Sequence, residues 1–83
     1  DASARCAASL LRLASRRWAT GLEADLPAEI PASQTELAML CNLSRNTFSR
    51  VVRDFASRRL VTLGYRSLTV IDPVRLRAVA EAG

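Results

Sequence analysis

The stretch SRNTFSRVVRDF (44–55) places Arg45, Arg50 and Arg53 close together, with Asn46 and Ser49 between them and Asp54 as the only acid. The guanidiniums and the Asn46 amide are neither nucleophiles nor bases near neutral pH, so the chemistry they offer is recognition. A guanidinium presents a planar fork of donors that matches phosphate oxygens, or O6 and N7 of guanine. An asparagine amide matches N6 and N7 of adenine. Catalysis has little support: the chain has no histidine, no Gly-rich phosphate loop and no carboxylate pair, its acids being scattered through caps and loops. The reading is therefore of a protein that is not an enzyme.

Whether these groups can act together depends on the element that carries them. At about 100° per residue, with Arg45 at zero, Ser49 falls near 40°, Arg53 near 80°, Asn46 near 100° and Arg50 near 140°. Phe48, Val51, Val52 and Phe55 fall between about 240° and 340°. The two arcs do not overlap, which predicts a helix buried on one side and basic on the other. Ser44 is its N-cap. A second start signal lies just upstream, where SQTE (33–36) is a capping box. Leu37, Ala38, Leu40 and Cys41 follow as an apolar face. Asn42 tolerates the left-handed conformation that closes a helix, and Leu43 plugs the turn. The spacing thus predicts a helix-turn-helix over about 33–56.

On the N-terminal side, Ala7, Leu10, Leu11, Ala14 and Trp18 keep helical spacing over about four turns, capped by Asp1 or Ser3. Thr20 to Ala32, with Gly21, Pro27 and Pro31, reads as a loop holding one short strand near Ala28 to Ile30. On the C-terminal side, Leu60–Leu63 and Ser67–Ile71 flank Gly64-Tyr65-Arg66 as a hairpin, a wing over about 60–71. Asp72 then caps, and Pro73 opens, a last helix with Leu76, Val79 and Ala80 inward. The expected fold is mainly α with a small β-wing: a winged helix-turn-helix with a three-helix core, a hairpin and a C-terminal helix, one domain over 1–83.

Composition narrows the function classes. An apolar fraction of 49% and a charged fraction of 24% argue against disorder. No apolar run approaches the roughly 20 residues of a membrane span, and the N-terminus does not read as a signal peptide; a cytoplasmic protein without a membrane partner is expected. Cys6 and Cys41 sit among apolar neighbours and read as buried, inert thiols, with a redox-sensing role as the alternative. Two soft ligands without histidine are too few for zinc, so no metal site is expected. The net charge of +4 is uneven: residues 1–43 hold four arginines against five acids, and residues 44–83 hold eight against three.

A basic face alone is most often a solvated surface. A capped two-helix unit, an almost acid-free arc and a following hairpin together shift the balance to nucleic acid. Arg45, Asn46, Ser49 and Arg50 are the candidates for base contacts in a major groove. Ser33, Gln34, Thr35, Ser44, Thr47, Arg53 and Arg66 are the candidates for phosphate contacts. Trp18, Phe48 and Phe55 read as core. The competing reading is a protein-interaction module whose basic face docks on an acidic partner.

The segment ASQTELAMLCNLSRNTFSRVVRDFASRRLV resembles the helix-turn-helix of the Crp–Fnr transcription regulators. DASARCAASLLRLA resembles the helix after that family's interdomain hinge, and LVTLGYRSLTVIDPVRLRAVA resembles its wing and closing helix. The resemblance implies that Arg45 and Arg50 read bases and that Thr35 and Thr47 touch the backbone of double-stranded DNA. Asn46 departs from the glutamate of many members and implies a different base preference; Arg66 stands where many have glycine. It further implies a longer bacterial protein that acts as a homodimer and engages RNA polymerase, with an N-terminal effector domain and a dimerisation helix that this chain lacks. No cofactor is expected in this domain; the effector, whether cyclic nucleotide, haem, iron–sulfur cluster or another ligand, belongs to that other domain.

Overall fold

The structure is a computed structural model that describes residues 1–15 and 27–82. In chain order it contains α1 (Ala2–Ser15), β1 (Ala28–Ile30), α2 (Gln34–Leu40), α3 (Arg45–Ser57), β2 (Val61–Gly64), β3 (Ser67–Val70) and α4 (Pro73–Ala82). Asp1 is the cap of α1: its Oδ1 accepts from the Ala4 amide at 2.8 Å and its carbonyl from the Arg5 amide at 3.0 Å. Ala7, Leu10 and Ala14 turn inward from α1, as the spacing predicts, with Cys6 buried beside them, while Leu11 is only partly buried. Trp18, the end of the expected four-turn helix and the loop from Thr20 to Leu26 lie outside the described residues.

The wing is larger than a hairpin. β1 joins β2 and β3 in a three-stranded antiparallel sheet of order β1-β3-β2, with Ala28 opposite Val70 and Ile30 opposite Leu68. Val61 also faces Val70 across the other edge of β3. Alternation along each strand sends Ala28, Ile30, Val61, Leu68 and Val70 into the core, and all five are buried. α4 packs along α1 and closes the far side.

Two turns set the direction of α3, and both follow the same design. Behind α2, the Asn42 amide donates to the Met39 carbonyl at 3.0 Å and the Leu43 amide to the Ala38 carbonyl at 2.9 Å, with Asn42 at φ 56°. This is a Schellman closure on a left-handed residue. Behind α3, Arg59 at φ 59° repeats it: its amide reaches the Ala56 carbonyl at 3.0 Å, and the Leu60 amide reaches the Phe55 carbonyl at 2.9 Å. The Leu60 carbonyl then accepts from the amides of Ile71 and Asp72 at 2.9 and 3.2 Å, which fastens the base of the wing to the start of α4. Asp72 caps α4 through the Arg75 amide at 3.1 Å. The Arg75 guanidinium in turn donates to the Arg58 carbonyl at 3.2 Å, satisfying the end of α3.

One inward expectation is corrected. Leu40, expected on the apolar face of α2, is 56% exposed, next to Met39 at 75%. On a helix of seven residues the buried arc is narrow: Leu37, Cys41 and Ala38 span about 100°, and Leu40 falls about 60° outside it.

The two left-handed residues differ in cost, because asparagine tolerates that conformation and arginine does not. Arg59→Gly is expected to raise stability by about 0.5–1 kcal/mol, and Asn42→Gly to change it by less. Urea unfolding midpoints of the two variants measure this; an Arg59→Gly midpoint below that of the parent would show that the side chain outweighs the backbone relief.

Candidate nucleic-acid interface

Ser44 starts α3. Its Oγ accepts from the Thr47 amide at 3.1 Å and its hydroxyl donates to Thr47 Oγ1 at 2.9 Å. From there the helix divides cleanly. Phe48, Val52 and Phe55 are fully buried and Val51 nearly so. Arg45, Asn46, Arg50 and Arg53 are exposed, and Ser49 is half-buried at the edge. Asp54, the one acid, is drawn to the helix end by Arg58 at 3.2 Å. Among the described residues Arg50 and Arg53 meet no acid, so their charge is available to an outside anion.

Ser33 starts α2 in the same way, and both arms of the capping box are made. Ser33 Oγ accepts from the Glu36 amide at 3.2 Å, and Glu36 Oε1 accepts from the Ser33 amide at 2.9 Å. Gln34 and Thr35 come next, and they meet the beginning of α3. Arg45 Nη1 donates to Gln34 Oε1 at 3.1 Å, and Arg45 Nε donates to Thr35 Oγ1 at 3.3 Å. These bonds tie the first turn of α2 to the first turn of α3.

The wing tip reaches the same place. Arg66, held at φ 51° in the β2–β3 turn, brings Nη2 to 3.9 Å from Glu36 Oε1. Gly64, just before that turn, lies close to Ser67: a Cβ there would come within 2.7 Å of Ser67 Oγ, and the hydroxyl would have to turn aside. The Glu36 carboxyl is held below its ordinary pKa, first by the donated backbone N–H of Ser33, then by the Ser33 hydroxyl, with the Arg66 charge adding to both.

The residues singled out in the sequence thus fall into two groups. Ser33, Gln34, Thr35, Arg45 and Arg66 form a connected edge that joins α2, α3 and the wing. Asn46, Ser49, Arg50 and Arg53 stand on the outer side of α3, and Ser44 and Thr47 cap it. The sequence reveals the cap made by Glu36 but not its second partner, Arg66. The two are thirty residues apart, and no local pattern links them. Among the described residues no group of three or more metal-ligating side chains comes together, and no helix is long and apolar enough to cross a membrane.

The family model of the Crp-like helix-turn-helix domain matches residues 4–79. The fold is similar to that of the catabolite activator protein of Thermus thermophilus, with a TM-score of 0.79 and 30% identity over 98% of this chain and 34% of that one. A CRP/FNR-family transcriptional regulator from Thermus thermophilus superposes with a TM-score of 0.77 at 28% identity, over 95% of this chain and 40% of the regulator. A CRP-family regulator from the same organism gives 0.75 at 25% identity, over 98% and 40%. The chain therefore spans between a third and two fifths of the length of these solved relatives. No curated protein sequence matches it.

The lowered Glu36 pKa has a consequence for stability. A carboxyl whose pKa is depressed by folding stabilises the protein above its ordinary value of 4.5, and that contribution is lost as pH falls through the folded value. Glu36→Gln keeps an acceptor for the Ser33 amide but removes the charge. It is expected to be less stable than the parent at pH 7, by a gap that is smaller at pH 3, with urea unfolding at both pH values as the measurement. A gap of the same size at pH 3 would mean that the charge of Glu36 contributes nothing.

Proposed function

The chain belongs to the Crp-like helix-turn-helix domain family, and from that membership we propose that it binds double-stranded DNA sequence-specifically as part of a transcription regulator. One observation carries the proposal: α3 is anchored by four buried apolar side chains, while Arg50 and Arg53 on its other side are exposed and, among the described residues, meet no acid. A helix about 10–12 Å across fits the major groove, which is about 12 Å wide.

In this reading Arg45, Asn46, Ser49 and Arg50 face the base edges. Arg50 pairs with O6 and N7 of a guanine, and Asn46 pairs with an adenine. Arg45 spends two N–H groups on Gln34 and Thr35, out of the five a guanidinium carries. The rest are open to a base, and the two bonds hold the fork in a fixed direction. Arg53 lies a turn further along and meets phosphate. Ser33, Gln34, Thr35, Ser44, Thr47 and Arg66 line the backbone on either side, with Arg66 shared between phosphate and Glu36. The protein acts as a cytoplasmic homodimer, reading half-sites about one helical turn apart, and RNA polymerase is its partner at the promoter.

Base and phosphate contacts leave different signatures. Arg50→Ala is expected to cost about 1–3 kcal/mol on the preferred duplex and to relax specificity at a single base pair. Arg53→Ala is expected to weaken all duplexes alike and to lower the salt slope by about 0.9. Gel shifts on selected and random duplexes at several salt concentrations separate the two. Unchanged specificity in Arg50→Ala would remove it from base reading. Equal binding of all duplexes by the parent, together with capture of an acidic protein, would favour the interaction-module reading instead.

A further inference from the structure

Arg5 and Arg12 take no part in the surface described above. They stand seven residues apart on α1 with Ala8 and Ser9 between them, so the four residues share one stripe at i, i+3, i+4 and i+7. That stripe is one wall of a cleft of about 230 Å³, and the end of α2 with its turn, at Leu40, Cys41 and Asn42, is the other. Leu40, which falls outside the buried arc of α2, is thus part of the cleft wall.

Among the described residues no acid lines this cleft. Arg5 and Arg12 are both exposed, and among the described residues neither is paired with an acid. Ser9, only 7% exposed, accepts from Arg12 Nη2 at 3.0 Å. That bond spends one of the five N–H groups of the guanidinium and holds its plane beside the cleft. The Arg5 guanidinium has no hydrogen-bond partner among the described residues. Two positive charges with no acid between them repel a cation and favour an anion. Phosphate suits them best: it carries about two negative charges near neutral pH, and its oxygens match the forked donors of arginine.

We propose that the cleft between α1 and the α2–α3 turn binds a phosphate group, held by Arg5 and Arg12. Arg12 donates through the N–H groups that Ser9 leaves open, and Arg5 through its own fork. Charge-assisted bonds of this kind are about twice as strong as neutral ones. Two sources offer the group. One is a free phosphate or phosphomonoester. The other is the backbone of duplex DNA beside the recognition helix, since Asn42 in the cleft wall is two residues from Ser44, the cap of α3. The chemistry of the cleft is the same for both, and only the second source rests on the DNA-binding reading.

The probe is inorganic phosphate. The amide resonances of Ser9 and Asn42 are followed by NMR as sodium phosphate replaces sodium chloride at constant pH and ionic strength. Expected is a saturable shift at both, which Arg5→Gln and Arg12→Gln each weaken by roughly tenfold or more. Both side chains are exposed, and circular dichroism checks that the variants fold. In parallel, binding to a random-sequence duplex is measured at several salt concentrations for the parent and both variants. A salt slope lower by about 0.9 in each variant assigns the cleft to the DNA backbone. A saturable phosphate shift with unchanged slopes assigns it to a free phosphate ligand. The proposal is overturned if the slopes are unchanged and phosphate gives no saturable shift, or gives one that acetate or either variant reproduces. A parent that binds no duplex counts against the function above, and leaves the phosphate titration to decide on the cleft.

Discussion

Phe48, Val52 and Phe55 have no exposed surface, and the orientation of α3 follows from that. A helix about 10 Å across has one back and one front. Once three large side chains on one stripe are locked into a close-packed interior, rotation about the helix axis is no longer free. Each fully buried phenylalanine is worth about 1.5–3 kcal/mol of transfer free energy relative to exposure. No surface ion pair on the other side, at about 0–1 kcal/mol, can compete with that. The direction in which Arg50 and Arg53 point is therefore set by hydrophobic burial behind them, and electrostatics only decides what they meet.

Burial fixes the roll of α3 but not its position along the axis or its tilt against the wing. Those are set by hydrogen bonds at its two ends. The Schellman closure at Asn42 and the cap at Ser44 place the first turn within a few residues of α2, and Arg45 then bridges back to Gln34 and Thr35. At the other end, the closure at Arg59 sends the chain straight into β2, and the Leu60 carbonyl ties strand base to α4. The wing tip returns to α2 through Arg66 and Glu36. That ion pair is mostly exposed, so it adds little to stability. Its effect is to bring the tip of a two-stranded arm beside the candidate recognition surface.

Much of this is legible from residue types, and the gaps have physical causes. The capping box, the left-handed Asn42, the serine cap of α3 and the split wheel are local, and local patterns determine local structure. The hairpin is legible too, from two β-rich runs around Gly64. That Ala28–Ile30 pairs with β3 is not, because strand partners about forty residues apart leave no spacing signal. Leu40 departs from its expected face because a seven-residue helix against a core buries only a narrow arc, and apolar type alone does not say which edge faces in. The same limit hides the contact that ties Arg66 to Glu36. Patterning along the chain marks the faces of each helix; only the packed fold says which faces meet.

The distribution of acids explains why an ordinary net charge yields a strongly basic edge. Carboxylates on a helical surface usually pair with arginines three or four residues away. Here three of them are bound to backbone, Asp72 also lying 3.8 Å from the Arg75 guanidinium three residues on. Asp1, Glu36 and Asp72 each accept from amides at the start of a helix, where the dipole favours negative charge. Asp54, the only acid on α3, is paired with Arg58 at the helix end. Each of these carboxylates therefore serves a local purpose in forming the fold, and none of the four is paired with Arg50 or Arg53; Asp54, four residues from Arg50, turns to Arg58 instead. Stability and recognition draw on the same separation: the acids that begin the helices are the acids kept away from the exposed front of α3.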